Sequence, residues 1–354
     1  MPDLYDNPLR GHPDQLDLPA SIPLPEDDPA PVEELLSRCP AHAETPLVEA
    51  PGLAEAAGIG ALFVKDERDR MGLGSFKALG AAHVIARAAV ETGAEDLTQA
   101  LTGETYVTAS AGNHGLSVAA GARVFGAKAV VYLSDTVPHA FALRLEETGA
   151  EVVRAGKTYE ASMDAAAEAA QQKGWRLLSD SSWEGYTDPP RLLMQGYLAL
   201  MAEVARQIGD APSHVFVQAG VGGLAAAVAA AARRAWGDAP RIVIVEPTAA
   251  PCIAKSLSAG MPVLTEGPVS TMGRLDCKAA SLIALKGLAR DADAVVLVSD
   301  GEVADQMARI ADAGLETTPS GGAGLAALLT SDALRDRLGL TASSRALAFV
   351  TETA

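Results

Sequence analysis

The sequence contains little cysteine and little positive charge, and both shortages exclude classes of function. Its three cysteines among 354 residues, Cys39, Cys252 and Cys277, are too few and too scattered for a disulfide framework or a zinc site, so no metal is expected. Lys and Arg number 28 against 45 Asp and Glu, a formal net charge of −17. Nucleic acid and membranes are therefore not expected as main partners, because both nucleic acids and anionic lipids are bound through basic surfaces.

Long hydrophobic runs are also missing. No basic segment precedes an apolar one at the N-terminus, and the longest run of small and apolar residues, 219–236, is interrupted by Arg233. Neither a signal peptide nor a membrane-spanning helix is predicted. Apolar residues nevertheless make up 49% of the chain, which is enough to bury a sizeable core. These features predict a soluble, acidic α/β protein of the cytoplasm.

From Ala61 onward, short β-branched runs alternate with long alanine-rich segments, which is typical of parallel sheets with helices on both faces. The β-branched runs predict strands at 61–65, 105–109, 129–133, 151–154, 176–179, 214–218, 241–246, 294–298 and 346–351. The alanine-rich segments predict helices at 76–91, 115–125, 139–148, 159–173, 190–208, 224–236, 301–313 and 322–329. These units are too many for one compact sheet, so two α/β lobes are expected. Residues 1–48, rich in Pro and Asp, predict an extended arm with one short helix at 32–37.

The first segment with a candidate catalytic residue is 72–77, which leads into the predicted helix 76–91. Ser75 is a suitable N-cap residue, which would place Lys77 in the first turn, where the helix dipole disfavours a cation. A lysine that loses its charge in this way can attack a carbonyl group. The alternative interpretation is an ordinary surface lysine.

Two small-residue loops lie at predicted strand-to-helix junctions. The first, 108–115, allows backbone amides and the Asn113 side chain to approach a flat ligand closely; it can also be a simple turn. The second, 218–224, places glycines at a helix start, where successive N–H groups favour a phosphate. Its glycine spacing is not that of a dinucleotide-binding fingerprint, and the chain contains no phosphate-binding loop of the nucleotide triphosphatase type.

Taken together and in this order, the segments 75–77, 110–114 and 220–224 resemble the tryptophan-synthase-β-like family of pyridoxal-phosphate enzymes, also called fold type II. The resemblance runs from residues 45–47 to the C-terminus. Within that family the chain is most similar to the diaminopropionate ammonia-lyases, and it is also similar to the threonine and serine dehydratases. The segments that carry the closer resemblance are 64–67, 72–73, 76–77, Asp180, 183–187 and 194–197.

The resemblance implies the architecture and the cofactor site. The active site would lie between a large domain, 1–79 with 171–354, and a small domain, 80–170. Lys77 would bind pyridoxal 5′-phosphate covalently and move the α-proton of the substrate, and Asn113 would contact the 3′-oxygen of the cofactor ring. Thr351 would contact the pyridine nitrogen, and a neutral hydroxyl there favours elimination over transamination. The cofactor phosphate would be held by the backbone amides of Gly220, Val221, Gly222, Gly223 and Leu224.

Substrate contacts are implied by the same resemblance, with two departures. The loop containing Ser110, Ala111, Gly112 and His114 would bind the substrate α-carboxylate. Ala111 occupies the position where the ammonia-lyases carry an aspartate that serves the D-enantiomer, so a preference for L-amino acids is predicted. Asp180 matches a second acidic residue of that pattern and would face the β-substituent; it can also be the N-cap of a turn.

The second departure is the loop 271–278, where the ammonia-lyases have small residues. Arg274, Asp276 or Lys278 can bind a polar or anionic substituent, or can form a solvated loop.

The function predicted from these features is α,β-elimination by a pyridoxal-phosphate-dependent lyase. A small β-substituted L-amino acid, similar to diaminopropionate, would give a 2-oxo acid and ammonia. The alternative enzyme is an L-serine- or L-threonine-type dehydratase, and the alternative class is a non-catalytic amino-acid sensor, against which the presence of Lys77 argues. A cytoplasmic homodimer is expected.

Overall fold

A computed structural model describes residues 3–110 and 112–354, with only the backbone at positions 159 and 160. These residues form two mostly parallel sheets with helices packed on them, which confirms the two-lobed α/β fold. The strands are β1 (Asp3–Asp6), β2 (Leu47–Glu49), β3 (Ala61–Asp66), β4 (Thr105–Ala109), β5 (Lys128–Leu133), β6 (Glu151–Arg154), β7 (Arg176–Leu177), β8 (His214–Gln218), β9 (Arg241–Pro247), β10 (Ala294–Val298) and β11 (Arg345–Val350). The helices are α1 (Ala30–Leu36), α2 (Pro51–Ala56), α3 (Lys77–Glu91), α4 (Asn113–Val124), α5 (His139–Glu147), α6 (Tyr159–Lys173), α7 (Asp188–Gly196), α8 (Leu198–Gln207), α9 (Gly223–Trp236), α10 (Cys252–Ala259), α11 (Leu282–Asp291), α12 (Asp300–Asp312), α13 (Pro319–Leu329) and α14 (Arg335–Leu338).

The larger sheet has the strand order β1-β10-β9-β8-β11-β3-β2. Its inner strands are parallel, and the edge strands β1 and β2 are antiparallel to their neighbours. One apolar cluster includes residues of α9 and α11, and a second includes residues of α12 and α13. Because helices cover the sheet in this way, every residue of β8 and β10 is buried, as expected for the centre of a parallel sheet.

The smaller sheet has the order β6-β5-β4-β7, and all of its strands are parallel. The helix α6 packs on it through a separate apolar cluster that includes Val107, Val130 and Ala166. The limits of the two domains, with 80–170 as the small one, stay a prediction.

The structure adds elements that the sequence pattern did not predict. β1 and β2 are only four and three residues long, too short to show a period, and they pair at the sheet edges. β1 lies within the N-terminal arm, whose Asn7 amide donates to the carbonyl oxygens of Leu288, Ala289 and Ala292 at the end of α11. The arm is therefore fastened to the large lobe.

A close crossing of α3 and α7 shapes the site. The predicted helix 190–208 is divided at Tyr197 into α7 and α8. A Cβ on Gly196 would come within 2.5 Å of the Leu79 carbonyl oxygen and 2.9 Å of the Gly80 Cα, so only glycine allows α7 to approach α3 this closely. This approach places Tyr197 beside Phe76, with 5.0 Å between the ring centroids.

The charged segment after β3 is a buried ion-pair network. Lys65 Nζ lies 2.6 Å from Glu203, and Arg70 pairs with both Glu203 (2.8 Å) and Glu67 (2.7 Å). All four side chains are at most 1% exposed. Such a network costs desolvation but admits one geometry, so it holds the loop that leads to Lys77 in place.

In the part of the chain that the structure describes, no helix is long and apolar enough to cross a membrane.

Candidate active site

The candidate site is assembled at the carboxyl ends of parallel strands. Residues 110–114 follow β4, Asp180 comes after β7, residues 220–222 follow β8 and Thr351 follows β11. Lys77 opens α3, which packs against α4 and α7. Ligands of open α/β sheets bind outside the carboxyl ends of the strands, because the loops there converge.

Lys77 and Asp180 form an ion pair at the centre of this region. Lys77 Nζ donates to Asp180 Oδ2 at 2.5 Å, and the two side chains are 22% and 19% exposed. Burial alone would lower the pKa of Lys77, but the charge of Asp180, the charge of Tyr197 and the hydrogen bond to Asp180 together outweigh it and raise that pKa. The same pairing holds the pKa of Asp180 below its usual value, although burial acts in the opposite direction. Lys77 is therefore an ammonium group in this pair and Asp180 a carboxylate.

The start of the helix that carries Lys77 differs from the prediction. The prediction of Ser75 as the N-cap is wrong: α3 begins at Lys77, Phe76 is at the cap position, and no side chain caps the helix. Ser75 instead pairs through its backbone with Glu352, and its buried hydroxyl has no hydrogen-bond partner among the described residues. With Asp180 in this position the cation is favoured and the pKa of Lys77 is raised. The neutral lysine stays a prediction for the site with its cofactor bound.

Tyr197 and His114 lie close to the ion pair. The Tyr197 side chain is buried, and its hydroxyl has no hydrogen-bond partner within the described residues. Burial raises the pKa of Tyr197, and the charge of Lys77 acts against this. His114 Nε2 lies 2.8 Å from the Leu178 carbonyl oxygen, and burial lowers the pKa of this imidazole. His114 is therefore a neutral, buried neighbour of Asp180, with its Nε2 directed to the backbone.

The glycine loop after β8 exposes backbone amides. Gly222 has φ +99° and precedes the first residue of α9, whose start has no side-chain cap. Across the described residues, no acceptor takes the N–H groups of Gly220, Val221, Gly222, Gly223 or Leu224. A Cβ on Gly220 would lie 2.9 Å from the Arg274 carbonyl oxygen and 3.0 Å from Cys277 Sγ. The loop has the free donors of an anion site, and its packing requires glycine.

The loop after β4 is connected to the C-terminal segment. Ser110 Oγ accepts from the Gly112 N–H at 3.2 Å, and Asn113 Nδ2 donates to Glu352 Oε2 at 2.6 Å. Ala111 lies outside the described residues. Thr351 is buried, and its hydroxyl accepts from the Gln218 side chain at 3.3 Å. The structure thus brings Asn113 and Thr351 to the same region, one from each lobe.

Glu352, Tyr197 and Cys277 were not among the predicted site residues. Glu352 is 3% exposed and binds Asn113, Arg274 and Thr318 through its carboxylate. Its position directly after Thr351 was the only sequence signal. Cys277 lies against Gly220, and burial together with the charge of Asp180 raises the pKa of this thiol to about 12. It is therefore a thiol rather than a thiolate near neutral pH.

Comparison with known proteins places this geometry in a family. The family described as pyridoxal-phosphate dependent enzyme matches residues 39–352. Diaminopropionate ammonia-lyase of Salmonella typhimurium is 32% identical over 269 residues, which cover 70% of this chain and 66% of that enzyme, slightly less than two thirds of its length. Serine dehydratase-like protein of Mus musculus is 30% identical over 82% of each chain. The crystal structure of diaminopropionate ammonia-lyase from Escherichia coli in complex with D-serine matches with a TM-score of 0.88 and 27% identity, covering 100% of this chain and 94% of that one. These matches confirm the resemblance drawn from the motifs.

Proposed function

This chain belongs to the family of pyridoxal-phosphate dependent enzymes, and from that premise we propose that it is an ammonia-lyase that acts by α,β-elimination. A small L-amino acid with a leaving group on its β-carbon would be converted to a 2-oxo acid and ammonia. The relatives named diaminopropionate ammonia-lyase and serine dehydratase-like support this reaction class.

The residues present fit pyridoxal phosphate. The five N–H groups of 220–224 have no acceptor in the described chain, and such donors at a helix start suit a phosphate. Lys77 provides the primary amine that the cofactor aldehyde requires. We propose that the Asn113 amide contacts the 3′-oxygen of the cofactor ring and that the Thr351 hydroxyl contacts its nitrogen. The hydrogen bond from Asn113 to Glu352, the residue after Thr351, supports a common site for them. When bound, the cofactor withdraws electrons from the α-carbon of the substrate and so permits loss of the α-proton and then of the β-substituent.

The Lys77–Asp180 pair supplies the acid–base chemistry. Lys77 Nζ takes the proton from the α-carbon, on the one face of the substrate that it reaches. Asp180, 2.5 Å away, holds Lys77 in position and accepts or returns a proton at Oδ2. We propose that Asp180 also faces the leaving group, because its carboxylate is the acidic group that pairs with the lysine. The helix start at 112–114 would bind the α-carboxylate through backbone amides.

The observation that carries this proposal is the Lys77–Asp180 ion pair beside five acceptor-free amides. The test is to load the purified chain with pyridoxal phosphate and to assay both enantiomers of diaminopropionate, serine and threonine for ammonia and 2-oxo acid. The proposal expects both products from at least one L-amino acid: equal amounts from serine or threonine, and two ammonia per 2-oxo acid from diaminopropionate, whose β-amine also leaves. A protein that binds the cofactor through Lys77 but releases ammonia from none of these, nor from other β-substituted amino acids, would instead be the amino-acid sensor.

We propose three further features. They are the homodimer, the cytoplasmic location, and the division into a large domain (1–79 with 171–354) and a small one (80–170). Light scattering of the purified protein, cell fractionation and limited proteolysis test them in that order.

A further inference from the structure

The loop 271–278 is firmly attached beside the glycine loop. Met272 and Leu275 are buried in the core, and the Arg274 N–H donates to Ser320 Oγ at 3.2 Å. The Arg274 carbonyl oxygen lies 2.9 Å from the position that a Cβ on Gly220 would take. The backbone of Arg274 is thus fixed, and its side chain starts next to the proposed cofactor phosphate.

The other two charged residues of this loop bind within the loop and its surroundings. Lys278 Nζ donates to Asp276 Oδ1 at 2.5 Å and to the carbonyl oxygens of Ala249 (2.8 Å) and Pro268 (3.1 Å). Asp276 Oδ2 accepts from the Ser270 N–H. Both side chains are therefore structural, and of the three charged residues only Arg274 has donors left for a ligand.

Arg274 is directed across the site towards the loop after β4. Its Nε donates to Glu352 Oε1 at 2.6 Å, and the other oxygen of Glu352 accepts from Asn113. Its Nη1 lies 3.2 Å from the position of a Cβ on Gly112, at the start of α4. Within the described residues, neither Nη1 nor Nη2 has an acceptor, and the side chain is 40% exposed.

We propose that Arg274 binds a carboxylate on the β-carbon of the substrate, which makes a β-substituted amino dicarboxylic acid the preferred substrate class. This inference rests on the proposed function and specifies its substrate. The two Nη groups match the two oxygens of a carboxylate. They lie beside the helix start that is proposed to bind the α-carboxylate, so a second carboxylate one carbon further along is within the same region. A β-ammonium group, as in diaminopropionate, would instead meet a like charge.

The simplest amino acid of this class is 3-hydroxyaspartate. Its α-C–H and β-C–O bonds break, and one water molecule leaves. One water molecule is then consumed when the resulting imine is hydrolysed, so one 3-hydroxyaspartate gives one oxaloacetate and one ammonia. No oxidant or other co-reactant is needed.

The test uses two substrates that differ only in the β-substituent. 3-Hydroxyaspartate carries a carboxylate where threonine carries a methyl group, and both lose a hydroxyl. The cofactor-loaded enzyme is expected to have the higher kcat/KM for 3-hydroxyaspartate. Arg274→Gln should lower the ratio of the two kcat/KM values by about 10- to 100-fold, as expected for loss of a hydrogen-bonded ion pair. Arg274→Lys, which keeps the charge but not the planar fork, should give an intermediate ratio.

Lys278→Gln is the matched control. It removes a cation from the same loop, and this cation binds to partners away from the site. Its ratio should change by less than about threefold, as expected for a charge that acts only at a distance through solvent. A wild-type preference for threonine or diaminopropionate would overturn the inference, as would an equal effect of Lys278→Gln. If Arg274→Gln lowers kcat/KM equally for both substrates, the residue binds the α-carboxylate and the inference is also wrong.

A binding measurement separates this inference from the proposed reaction. L-Aspartate and L-2-aminobutyrate lack a leaving group and differ in the same way, carboxylate against methyl. Calorimetry on the cofactor-loaded protein should show tighter binding of aspartate, and Arg274→Gln should raise its Kd by about 10- to 100-fold relative to that of aminobutyrate. This result without any elimination would refute the lyase but keep the role of Arg274; equal Kd values in the wild type would refute that role. Circular dichroism of each variant checks its fold.

Discussion

The two sides of the site offer different chemical groups to their proposed ligands. The side proposed for the cofactor phosphate consists of backbone amides between glycines, and a Cβ added to Gly220 would collide with the Arg274 carbonyl oxygen. The side proposed for the substrate adds side chains to the backbone amides of 112–114, with Glu352 connecting Asn113 to Arg274. A backbone site binds the same group whatever the side chains are, whereas a side-chain site changes its preference with one substitution. We infer that the glycine-loop side binds the cofactor and that the side carrying Arg274 and Glu352 determines substrate specificity.

The largest effect is expected where both sides meet, at Lys77. Lys77→Ala removes the amine that would anchor the cofactor and move the α-proton, so turnover should fall below detection. Ammonia release from the proposed substrates measures this, and circular dichroism should match that of the parent. Near-normal turnover by this variant would refute the assignment of the site.

Asp180→Asn should separate cofactor loading from turnover. The charge of Asp180 raises the pKa of Lys77, so its removal lowers that pKa and leaves more neutral amine at a given pH. Cofactor loading of the apoprotein, followed by visible absorbance, should therefore become faster. The kcat/KM should fall by about 10²- to 10⁴-fold because a positioned acid–base group is lost.

Asp188→Asn is the control for that experiment, because Asp188 is 84% exposed and pairs loosely with Arg191 at 3.7 Å. This substitution should change neither the rate of cofactor loading nor kcat/KM. Slower loading in Asp180→Asn would mean that the carboxylate assists the attack of Lys77 rather than restraining it.

The substrate side should determine which enantiomer reacts. We propose that Lys77 serves one face of the substrate. The motif resemblance assigns position 111 to the other face, and an alanine carries no base, so the L-form should be preferred by about 10²- to 10⁴-fold. Ala111→Asp should raise kcat/KM for the D-form selectively, with the L-form measured in parallel. Comparable kcat/KM values for both enantiomers in the wild type would contradict this prediction.

The cofactor side should tolerate almost no side chain. Gly222→Ala forces alanine to φ +99° with its Cβ 3.1 Å from that of Ala284, which should cost about 1–3 kcal/mol of unfolding free energy and weaken cofactor binding. Gly273→Ala is the control, because no atom lies within 4 Å of its Cβ position and its φ is not positive. Urea unfolding measures the free energy of unfolding, and cofactor titration measures the affinity for the cofactor. Equal values for the two variants would show that a methyl group fits at Gly222.

The last effect concerns Glu246, a buried acid near the glycine loop that accepts from the N–H groups of Ile253 and Ala254 at 2.8 Å each. Burial raises its pKa from 4.5 to about 7. The folded chain therefore keeps a proton that the unfolded chain loses, so the contribution of Glu246 to stability is complete below pH 4.5 and is lost as the pH rises through 7. Glu246→Gln should reduce the loss of unfolding free energy between pH 5 and 8, by at most about 3 kcal/mol. Melting curves of both proteins across this range check it, and parallel pH profiles would contradict it.

The sequence was most informative where a pattern is local. The buried strands β4, β8 and β10 were predicted with the bounds that the structure has, because each is a continuous β-branched or aromatic run with turn residues around it. The glycine loop was recognised for the same reason. β1 and β2 were not, because strands of three or four residues at a sheet edge show no period. The Ser75 cap was wrong because the backbone of Ser75 pairs with Glu352, a contact that no local pattern indicates.

The ordered motifs, each a few residues long, were enough to indicate the family and the fold class, because backbone conformation and covalent neighbours decide those features. The electrostatics of the site depended on the tertiary structure. Lys77 and Asp180 are 103 residues apart, Arg274 and Glu352 are 78 apart, and Asn113 and Glu352 are 239 apart. The charge on Lys77 and the direction of the Arg274 guanidinium are set by partners from other elements. Such partners become neighbours only when the chain folds, because hydrogen bonds and ion pairs act over a few ångströms and not along the chain.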